Sequence, residues 1–415
     1  MRILIVSQFY PPEMGGAAAR LHGLARCLVH LGHQVTVITG FPNYPTGVVP
    51  SDYRGKLRLR EVMDGVHVLR TWVYASAYRS SVRRLANYFS FVASSAVMGL
   101  AAGRRFDVVV ASSPPPFVGL PALALARLWR VPFVFDIRDI WPDVAVEAGE
   151  LAEDSVMARL GGRLARFLYK NADHVTPVTE SKRAKLVAAG VPERKLTVIA
   201  NGVDLDQVPP AVDDKRAELG LEGKFVVLYA GLIGVAQGVE IVAGAADRLR
   251  EHESIRFVIV GDGRRREALA GQIRDLGLTN VTLLPRQPRE EMPSLLATAD
   301  VCLVPLVNDR VEDAVPSKML EAWGHGRPVI LAAAGEAAAI VEQAGGGIVI
   351  PPGDSAGLAE AVLRMASTQE DLAGYARQGY ACIRERFDRR MLAQQMEGVL
   401  QMVIRSRALK AKRGA

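Results

Sequence analysis

Short apolar runs of strand length alternate along this chain with longer segments of helical periodicity. The runs are uninterrupted, as expected for parallel strands buried on both faces, and the clearest are residues 2–7 (RILIVS), 34–39 (QVTVIT), 107–111 (DVVVA), 132–136 (PFVFD), 224–230, 256–260 and 301–305. Residues 209–214, between the two groups, have the composition of a linker. The pattern predicts an α/β fold of two doubly wound, Rossmann-like halves, residues 1–205 and 206–387, which face each other across a cleft.

Residues 314–330 (AVPSKMLEAWGHGRPVI) are predicted to form a short helix and the strand that follows it. The helix is expected to begin at Ser317, with Lys318 and Glu321 on the face opposite its apolar side chains. A lysine in the first turn opposes the helix macrodipole by about 0.3–1 kcal/mol, unless an anion binds there. Glu321, one turn further on, would accept hydrogen bonds from sugar hydroxyls. The segment is therefore either a nucleotide-binding helix or a solvated helix with a Lys–Glu pair.

Glycines or charged residues directly follow two of the predicted N-terminal strands. Gly15 and Gly16 lie in the loop after the first strand, and Arg138 and Asp139 follow residues 132–136. Ligands of open α/β sheets bind at the carboxyl ends of the strands, so both positions are candidates for ligand contact. The alternatives are an ordinary tight turn and an Arg–Asp pair that holds a loop. The dinucleotide fingerprint G-x-G-x-x-G is absent here, which argues against a dehydrogenase.

Residues 78–105 are predicted to form a helix with an apolar middle and arginines near both ends. Such a helix either packs in the core or lies in a membrane interface, with its arginines at the headgroups. No segment approaches the roughly 20 uninterrupted apolar residues of a spanning helix, so none is expected. No signal peptide is predicted. The proline-rich, aromatic residues 41–53 are expected to form a flap or a binding loop.

The 415 residues carry 51 Lys and Arg against 44 Asp and Glu, and this net charge of +7 suits anionic partners such as nucleotides or a membrane surface. The excess is spread along the chain except in a basic tail, residues 405–413, which is expected to be solvated and mobile. Nucleic acid is therefore not an expected partner. Three widely separated cysteines predict neither disulfides nor a metal site, and favour a reducing compartment. Asp204 and Asp206 form a D-x-D sequence after a turn, which we interpret as a loop. No metal or other cofactor is expected.

Motifs along nearly the whole chain resemble those of the retaining glycosyltransferases of family 4, which have the GT-B architecture. The N-terminal half carries MRILIVSQFYPPEMGG and FVFDIRDIWPD. The C-terminal half carries VLYAGLIG, VGDGRRR, LLPRQPREEM, AVPSKMLEAWGHGRPVI and GEAAAIVEQAGGGIVIPPGD. The pattern is most similar to the branch of WbuB- and WcaI-like enzymes, which builds bacterial surface polysaccharides such as lipopolysaccharide O-antigen, capsule and exopolysaccharide.

The resemblance implies roles for particular residues. Glu321 matches the second glutamate of the family's E-x7-E motif, on the ribose hydroxyls, and Asp313 holds the place of the first. The implied donor-binding set is Gly15, Gly16, Gly231, Gly234, Arg286, Gln287, Asp313, Ala314, Pro316, Ser317, Lys318 and Glu321. The implied catalytic set is Arg138, Asp139 and Lys318.

Two positions depart from the family pattern. Leu232 and Gln237 occupy the places of an arginine and a lysine that often hold the donor diphosphate. The groups expected to neutralise the donor phosphates are therefore Lys318, Arg286 or Arg138, together with helix N-termini and the Gly15–Gly16 loop.

The implied reaction is sugar transfer from a UDP-sugar to a saccharide linked to undecaprenyl diphosphate, with retained anomeric configuration and without metal. An N-acetylated deoxyhexosamine such as L-FucNAc is the expected sugar. The expected enzyme is a cytoplasmic monomer or homodimer, peripherally associated with the inner face of the plasma membrane. Closure of the halves, with the last helix (388–415) packed on the first half, would assemble the site. The alternatives are a UDP-sugar 2-epimerase of the same architecture and a non-catalytic nucleotide-sugar-binding subunit.

Overall fold

The chain folds into two compact units, one of Met1–Asn201 with Arg389–Ala415 and one of Gly202–Asp388. The computed structural model describes residues 1–13, 15–44, 46–75, 81–143, 146, 152, 154–209, 212–308 and 312–413. The sequence placed the first boundary at residue 205, close to the observed division. The last helix belongs to the first unit.

The first unit is a seven-stranded sheet flanked by helices, in the order β3-β4-β2-β1-β5-β6-β7. Its strands are β1 (Arg2–Val6), β2 (Gln34–Gly40), β3 (Arg58–Met63), β4 (Val66–Thr71), β5 (Val108–Ser113), β6 (Phe133–Ile137) and β7 (His174–Pro177). Its helices are α1 (Gly16–His30), α2 (Ser81–Ala102), α3 (Gly119–Trp129), α4 (Val156–Asn171), α5 (Glu180–Ala188) and, from the end of the chain, Arg389–Arg413. All neighbouring strands are parallel except β3 and β4.

The second unit is a six-stranded parallel sheet in the order β10-β9-β8-β11-β12-β13. Its strands are β8 (Phe225–Ala230), β9 (Ile255–Val260), β10 (Val281–Leu284), β11 (Val301–Pro305), β12 (Val329–Ala332) and β13 (Gly347–Ile350). Its helices are α6 (Arg216–Leu219), α7 (Ile241–Arg248), α8 (Arg266–Asp275), α9 (Met292–Thr298), α10 (Ser317–Gly324), α11 (Glu336–Ala344), α12 (Ser355–Ser367) and α13 (Gln369–Cys382). The last helix of the chain, Arg389–Arg413 of the first unit, is α14.

Each sheet has one point where the direction of strand addition reverses. In the first unit this point lies between β1 and β5, and in the second between β8 and β11. The loops that leave the two strands on either side of a reversal point diverge, so a crevice opens at the carboxyl edge of the sheet. Both crevices are therefore positioned by the strand order alone, and both coincide with segments that the sequence singled out.

Three expectations need correction. The first sheet is not wholly parallel, because β3 pairs antiparallel with β4 through a turn at Asp64 and Gly65, both with positive φ. The last helix continues to Arg413, where the sequence predicted a mobile basic tail, and Arg407 Nε donates to the carbonyl of Arg130 at 3.2 Å.

The third correction concerns the predicted helix 78–105, which is observed as α2; residues 78–80 lie outside the described residues. Val82–Ala102 is long and apolar enough to cross a membrane by length and composition, against the expectation that no segment would be. A buried helix of a soluble protein passes the same test, and here about a third of the segment is buried. One face of α2 packs into the core of the first unit through Phe91 and Met98.

Candidate functional site

Three glycines bring the ends of β8 and β9 into close backbone contact in the second unit. Gly231 follows β8, and Gly261 and Gly263 follow β9, all with positive φ. A Cβ on Gly261 would lie 1.9 Å from the carbonyl oxygen of Gly231, and one on Gly263 would lie 2.3 Å from that of Ile233. Only glycine fits these positions without backbone movement. The loop that begins at Gly231 is thereby held against the edge of the sheet.

Lys318 places a cation beside this loop. It stands in the first turn of α10 and donates from Nζ to the phenol oxygen of Tyr229 at 2.8 Å, with Nζ 4.5 Å from the centre of that ring. A Cβ on Gly231 would lie 2.2 Å from Cε of Lys318, so the glycine makes room for the lysine. The Tyr229 hydroxyl donates in turn to the carbonyl of Leu232 at 2.5 Å. Lys318, Tyr229 and the loop after β8 thus form one connected group.

Burial controls the protonation of this group. It lowers the pKa of Lys318 to about 8, and the Glu321 carboxylate opposes this effect only in part. Burial also raises the pKa of Tyr229 above its ordinary value, so the phenol stays protonated and keeps its hydrogen bond to the loop. An ammonium whose pKa is depressed by burial is stabilised by a bound anion. The arrangement therefore suits a phosphate group beside Gly231.

The remaining residues of the predicted phosphate and ribose segment lie around the start of α10. Glu321 is exposed one turn after Lys318, and Ser317 is exposed at the first helical position. The helix begins at Ser317, as the sequence predicted, and its N-cap is Pro316, with no side-chain cap. Asp313 is buried and Ala314 half-buried in the segment that leads into the helix. Ser317 and Lys318 present first-turn N–H groups at this end of α10.

The two departures from the family pattern lie in the loop after β8. Leu232 is 55% exposed, and Gln237 lies next to Gly238, where the loop turns towards β11. Gly234 is buried, and a Cβ there would lie 2.5 Å from the Gln237 side-chain oxygen. Neither departure places a cation here, and Lys318 supplies the positive charge from the neighbouring helix.

Arg286 and Gln287 lie at the same edge of the sheet as Gly231, because they follow β10 and all six strands are parallel. Arg286 is exposed, and Gln287 Nε2 donates to the carbonyl of Pro285 at 3.1 Å. Strand β9 separates β10 from β8. The structure thus places Arg286 and Gln287 in the loop after β10, two strands from β8 at the same edge of the sheet.

In the first unit, a buried ion pair that the sequence did not indicate lies beneath the predicted charged loop. Asp136 on β6 accepts from Arg20 of α1 at 2.6 and 3.1 Å, from Ser112 of β5 at 2.7 Å and from Thr176 of β7 at 3.0 Å. Arg20 also donates to the carbonyl of Ile199 at 2.9 Å. Every oxygen of the carboxylate is satisfied, which is what a buried charge requires.

Arg138 and Asp139 follow directly, at the carboxyl end of β6, and both are half-buried. Burial lowers the pKa of Arg138 from its ordinary value, opposed by the nearby Asp139 carboxylate. Nε of Arg138 is buried and has no hydrogen-bond partner among the described residues. Gly15, with a φ of 140°, is the N-cap of α1, and Gly16 is its first residue. The same helix carries Arg20, so the glycine loop and the end of β6 are joined through Asp136.

Glu13 is a second residue that sequence reasoning missed. It lies in the loop after β1, and its Oε1 accepts the backbone N–H groups of Asn43 at 2.8 Å and Tyr44 at 3.0 Å. Burial raises the pKa of its carboxyl to about 7, against the lowering effect of these two donors. The PPE sequence before the glycine pair was its one visible signal. Glu13 holds the start of the predicted binding loop 41–53 against the loop after β1.

Among the described residues, no group of three or more His, Cys, Asp and Glu side chains is placed to hold a metal ion. Asp204 and Asp206 border or lie in a one-turn 3-10 helix, Leu205–Gln207. The three cysteines are buried thiols.

Family models match both units of the chain. Residues 15–202 match the glycosyl transferase 4-like domain, and residues 224–368 match the glycosyl transferases group 1 domain. The colanic acid biosynthesis glycosyl transferase WcaI of Escherichia coli is 30% identical over 342 residues, which cover 80% of this chain and 83% of WcaI.

Solved structures show the same fold. The Anabaena protein HepE in complex with UDP has a TM-score of 0.72 at 22% identity, covering 97% of this chain and all of HepE. The sucrose-phosphate synthase of Thermosynechococcus elongatus has a TM-score of 0.78 at 19% identity, covering 98% and 99% of the two chains. With two Rossmann-like units, matching domains along both and the similarity to WcaI, the chain belongs to the family 4 glycosyltransferases of the GT-B architecture and is a hexosyltransferase.

Proposed function

We propose that this enzyme transfers an N-acetylated deoxyhexosamine, such as L-FucNAc, from a UDP-sugar to a saccharide linked to undecaprenyl diphosphate, in the synthesis of a bacterial surface polysaccharide. The observation that carries the donor half is the Lys318 ammonium held on Tyr229 beside Gly231. The similarity to a colanic acid biosynthesis enzyme supports the polysaccharide half. HepE, of the same fold, has been solved with UDP and with UDP-glucose, which supports a UDP-linked donor.

In this proposal the donor diphosphate binds at the end of β8. Lys318 and the first N–H groups of α10 neutralise the diphosphate, and Gly231 and Gly234 allow it to approach the backbone. Glu321 accepts hydrogen bonds from the ribose hydroxyls, while Asp313, Ala314, Pro316 and Ser317 shape the sugar side. Arg286 and Gln287 hold the base, largely through backbone.

The proposed chemistry is a front-face displacement with retained configuration. The bond between the sugar C1 and the diphosphate oxygen breaks, the acceptor oxygen bonds to C1 from the same face, and the acceptor proton passes to the departing phosphate oxygen. The proposed role of Lys318 is to stabilise the charge that develops on that oxygen. Arg138 and Asp139, at the end of β6, are proposed to contact the transferred sugar, beside the Gly15–Gly16 loop. The proposal includes no metal, because cations and N–H groups of the chain supply the charge.

The proposed location is the inner face of the plasma membrane, and the observation that supports it is the outer face of α2. Apolar side chains follow one another there at intervals of three or four residues: Val82, Ala86, Phe89, Ala93, Val97 and Leu100, all exposed. Val82 is 77% exposed and Val97 67% exposed. The stripe runs along a helix of 22 residues, or about 33 Å. Arg83 in its first turn and Arg104 and Arg105 just after it suit anionic headgroups.

The membrane part is tested by liposome co-sedimentation of Val97→Glu. A charge in the middle of the stripe is expected to abolish binding to anionic vesicles. Val187→Glu is the matched control, because Val187 is exposed on α5 of the same unit and lies on another helix. Equal binding of both variants and the wild type would overturn the membrane assignment.

The transfer itself is tested by mass spectrometry and NMR of the product formed from UDP-sugars and a GlcNAc-diphospho-lipid. The proposal predicts a lipid carrying one added sugar, linked with the anomeric configuration of the donor. An inverted linkage would contradict the mechanism. A donor converted to its 2-epimer without acceptor would replace the transferase with an epimerase.

A further inference from the structure

The first unit contains a cavity whose lining includes no residue of the proposed donor site or of the charged loop after β6. Its volume is about 290 Å³, near the lower end of the range for small-ligand pockets. Four aromatic residues, Phe41, Tyr53, Trp72 and Tyr74, line it together with smaller apolar side chains. Arg54 and Lys56 also border it. We refer to it as the aromatic cavity.

The inner wall of the aromatic cavity is rigid. Phe41 directly follows β2 and is 2% exposed, and Val73 lies just beyond the end of β4 and is 3% exposed. The Phe41 and Tyr53 rings lie 6.0 Å apart, and the Arg70 guanidinium stands 5.1 Å from the centre of the Tyr53 ring. Arg70 is itself fully buried. The cavity is therefore preformed on its sheet side.

The outer wall is apolar and open to solvent. Trp72 is 45% exposed, Tyr74 41% and Leu57 74%. Large apolar side chains that remain exposed together beside a cavity mark a surface that binds something apolar. Aliphatic side chains of Val49, Leu57 and Val73 lie beside the aromatic rings, and this lining accommodates an apolar chain.

The cations at the cavity indicate that its ligand is also anionic. Arg54 and Lys56 are exposed and donate to the backbone carbonyls of Val49 at 3.4 Å and of Asp52 at 2.7 Å. Each of these charged groups has further N–H donors beyond the one used here. The aromatic cavity is thus lined by apolar groups and bordered by cations. That chemistry is complementary to a prenyl chain with a diphosphate head.

Hydrogen bonds join the wall of the aromatic cavity to α2, the helix that carries the apolar stripe. Ser90 on α2 accepts the backbone N–H of Tyr74 at 2.8 Å, and Ser94 on the next turn donates to the carbonyl of Trp72 at 2.7 Å. The cavity wall and the helix therefore move as one piece.

We propose that the aromatic cavity holds the first isoprene units of the lipid-linked acceptor, with Arg54 and Lys56 on its diphosphate. This inference rests on the proposed function, since it names the binding place of that acceptor. It adds a recognition element that is independent of the saccharide. Acceptors with a prenyl chain are thereby selected over the same saccharide without one.

The test measures binding of farnesyl diphosphate by calorimetry, with farnesol and inorganic diphosphate as the two partial probes. The wild type is expected to bind farnesyl diphosphate more tightly than either partial probe. Trp72→Ala combined with Tyr74→Ala is expected to weaken that binding at least tenfold. Tyr380→Ala is the matched control, because Tyr380 is a similarly exposed aromatic residue of the second unit. The double variant Arg54→Gln and Lys56→Gln is expected to bind farnesyl diphosphate more weakly than the wild type does, and to bind farnesol equally well.

Two outcomes separate this inference from the proposed function. Equal farnesyl diphosphate affinity in the wild type and the Trp72/Tyr74 variant, with transfer to the lipid acceptor intact, would overturn the cavity assignment alone. Transfer by the wild type to soluble saccharides only would overturn the lipid acceptor itself. The inference predicts a third pattern, in which the variant has a raised acceptor KM and an unchanged kcat.

Discussion

In the proposed donor site, the lowered pKa of Lys318 makes UDP binding depend on pH in a direction that the burial of this side chain determines. In the free enzyme, burial disfavours the ammonium and brings its pKa to about 8. A bound diphosphate favours the ammonium and raises that pKa, so binding takes up a proton when the solution pH is near 8. The affinity for UDP must then fall as the pH rises through 8. The phosphates of UDP do not cancel this effect, because their last ionisation, near pH 6, is complete.

The size of the effect follows from the fraction of charged Lys318. With a pKa of about 8, roughly nine tenths of the side chains are charged at pH 7 and roughly one tenth at pH 9. If UDP binds only the charged form, Kd rises about tenfold between these two pH values. Calorimetry in buffers of different ionisation enthalpy should also detect uptake of about half a proton per UDP at pH 8.

Two substitutions separate Lys318 from other titrating groups. Lys318→Arg keeps a charge at every pH in this range, so its Kd for UDP should be flat between pH 7 and 9. Lys224→Gln is the matched control, because Lys224 precedes β8 at the opposite edge of the same sheet, and it should keep the wild-type slope. A wild-type Kd that is constant between pH 7 and 9, or the same slope in Lys318→Arg, would refute the reasoning.

Three further predictions concern the framework of the two sites. Gly231→Ala should weaken UDP binding at least tenfold, because its Cβ would meet Cε of Lys318 at 2.2 Å, while Gly271→Ala, in open space on α8, should leave UDP affinity unchanged. Asp136→Ala should lower the free energy of unfolding in urea by about 3–5 kcal/mol, since it leaves Arg20 buried without its partner, and a loss below 1 kcal/mol would contradict this. Burial raises the pKa of the Glu13 carboxyl to about 7, so its contribution to the free energy of unfolding falls as the pH rises from the unfolded-state pKa to 7. Glu13→Gln should remove this decline, which is worth on the order of 3 kcal/mol, from the pH dependence of the free energy of unfolding. The same pH dependence in the variant and the wild type would contradict it.

The sequence predicted the fold and the helix α10 because both leave local patterns. Buried parallel strands read as uninterrupted apolar runs, and the start of α10 is marked by Pro316 and Ser317. The edge strand β3 was missed, since Arg58–Met63 (RLREVM) mixes three charged and three apolar residues without a regular alternation, and its side chains alternate only in exposure. Its only local signal was the Asp64–Gly65 turn.

The partners of the site residues could not be predicted, because they depend on tertiary contacts. Lys318 was expected on a helix face, and its contact with Tyr229 joins residues far apart in the chain. Tyr229 reads in sequence as one more apolar member of a buried strand. Asp136 likewise reads as the end of a strand, and only the sheet register places it beside Ser112 and Thr176.

The central claim is that the chain's own groups bind a UDP-sugar and drive its transfer to a lipid-linked acceptor. The most direct measurement is UDP release from a panel of UDP-sugars, with and without a GlcNAc-diphospho-lipid, in metal-free buffer, by the wild type and by Glu321→Ala. The account predicts acceptor-dependent UDP release from one donor by the wild type and a raised donor KM in the variant. UDP binding without release from any donor, or a variant indistinguishable from the wild type, would contradict it.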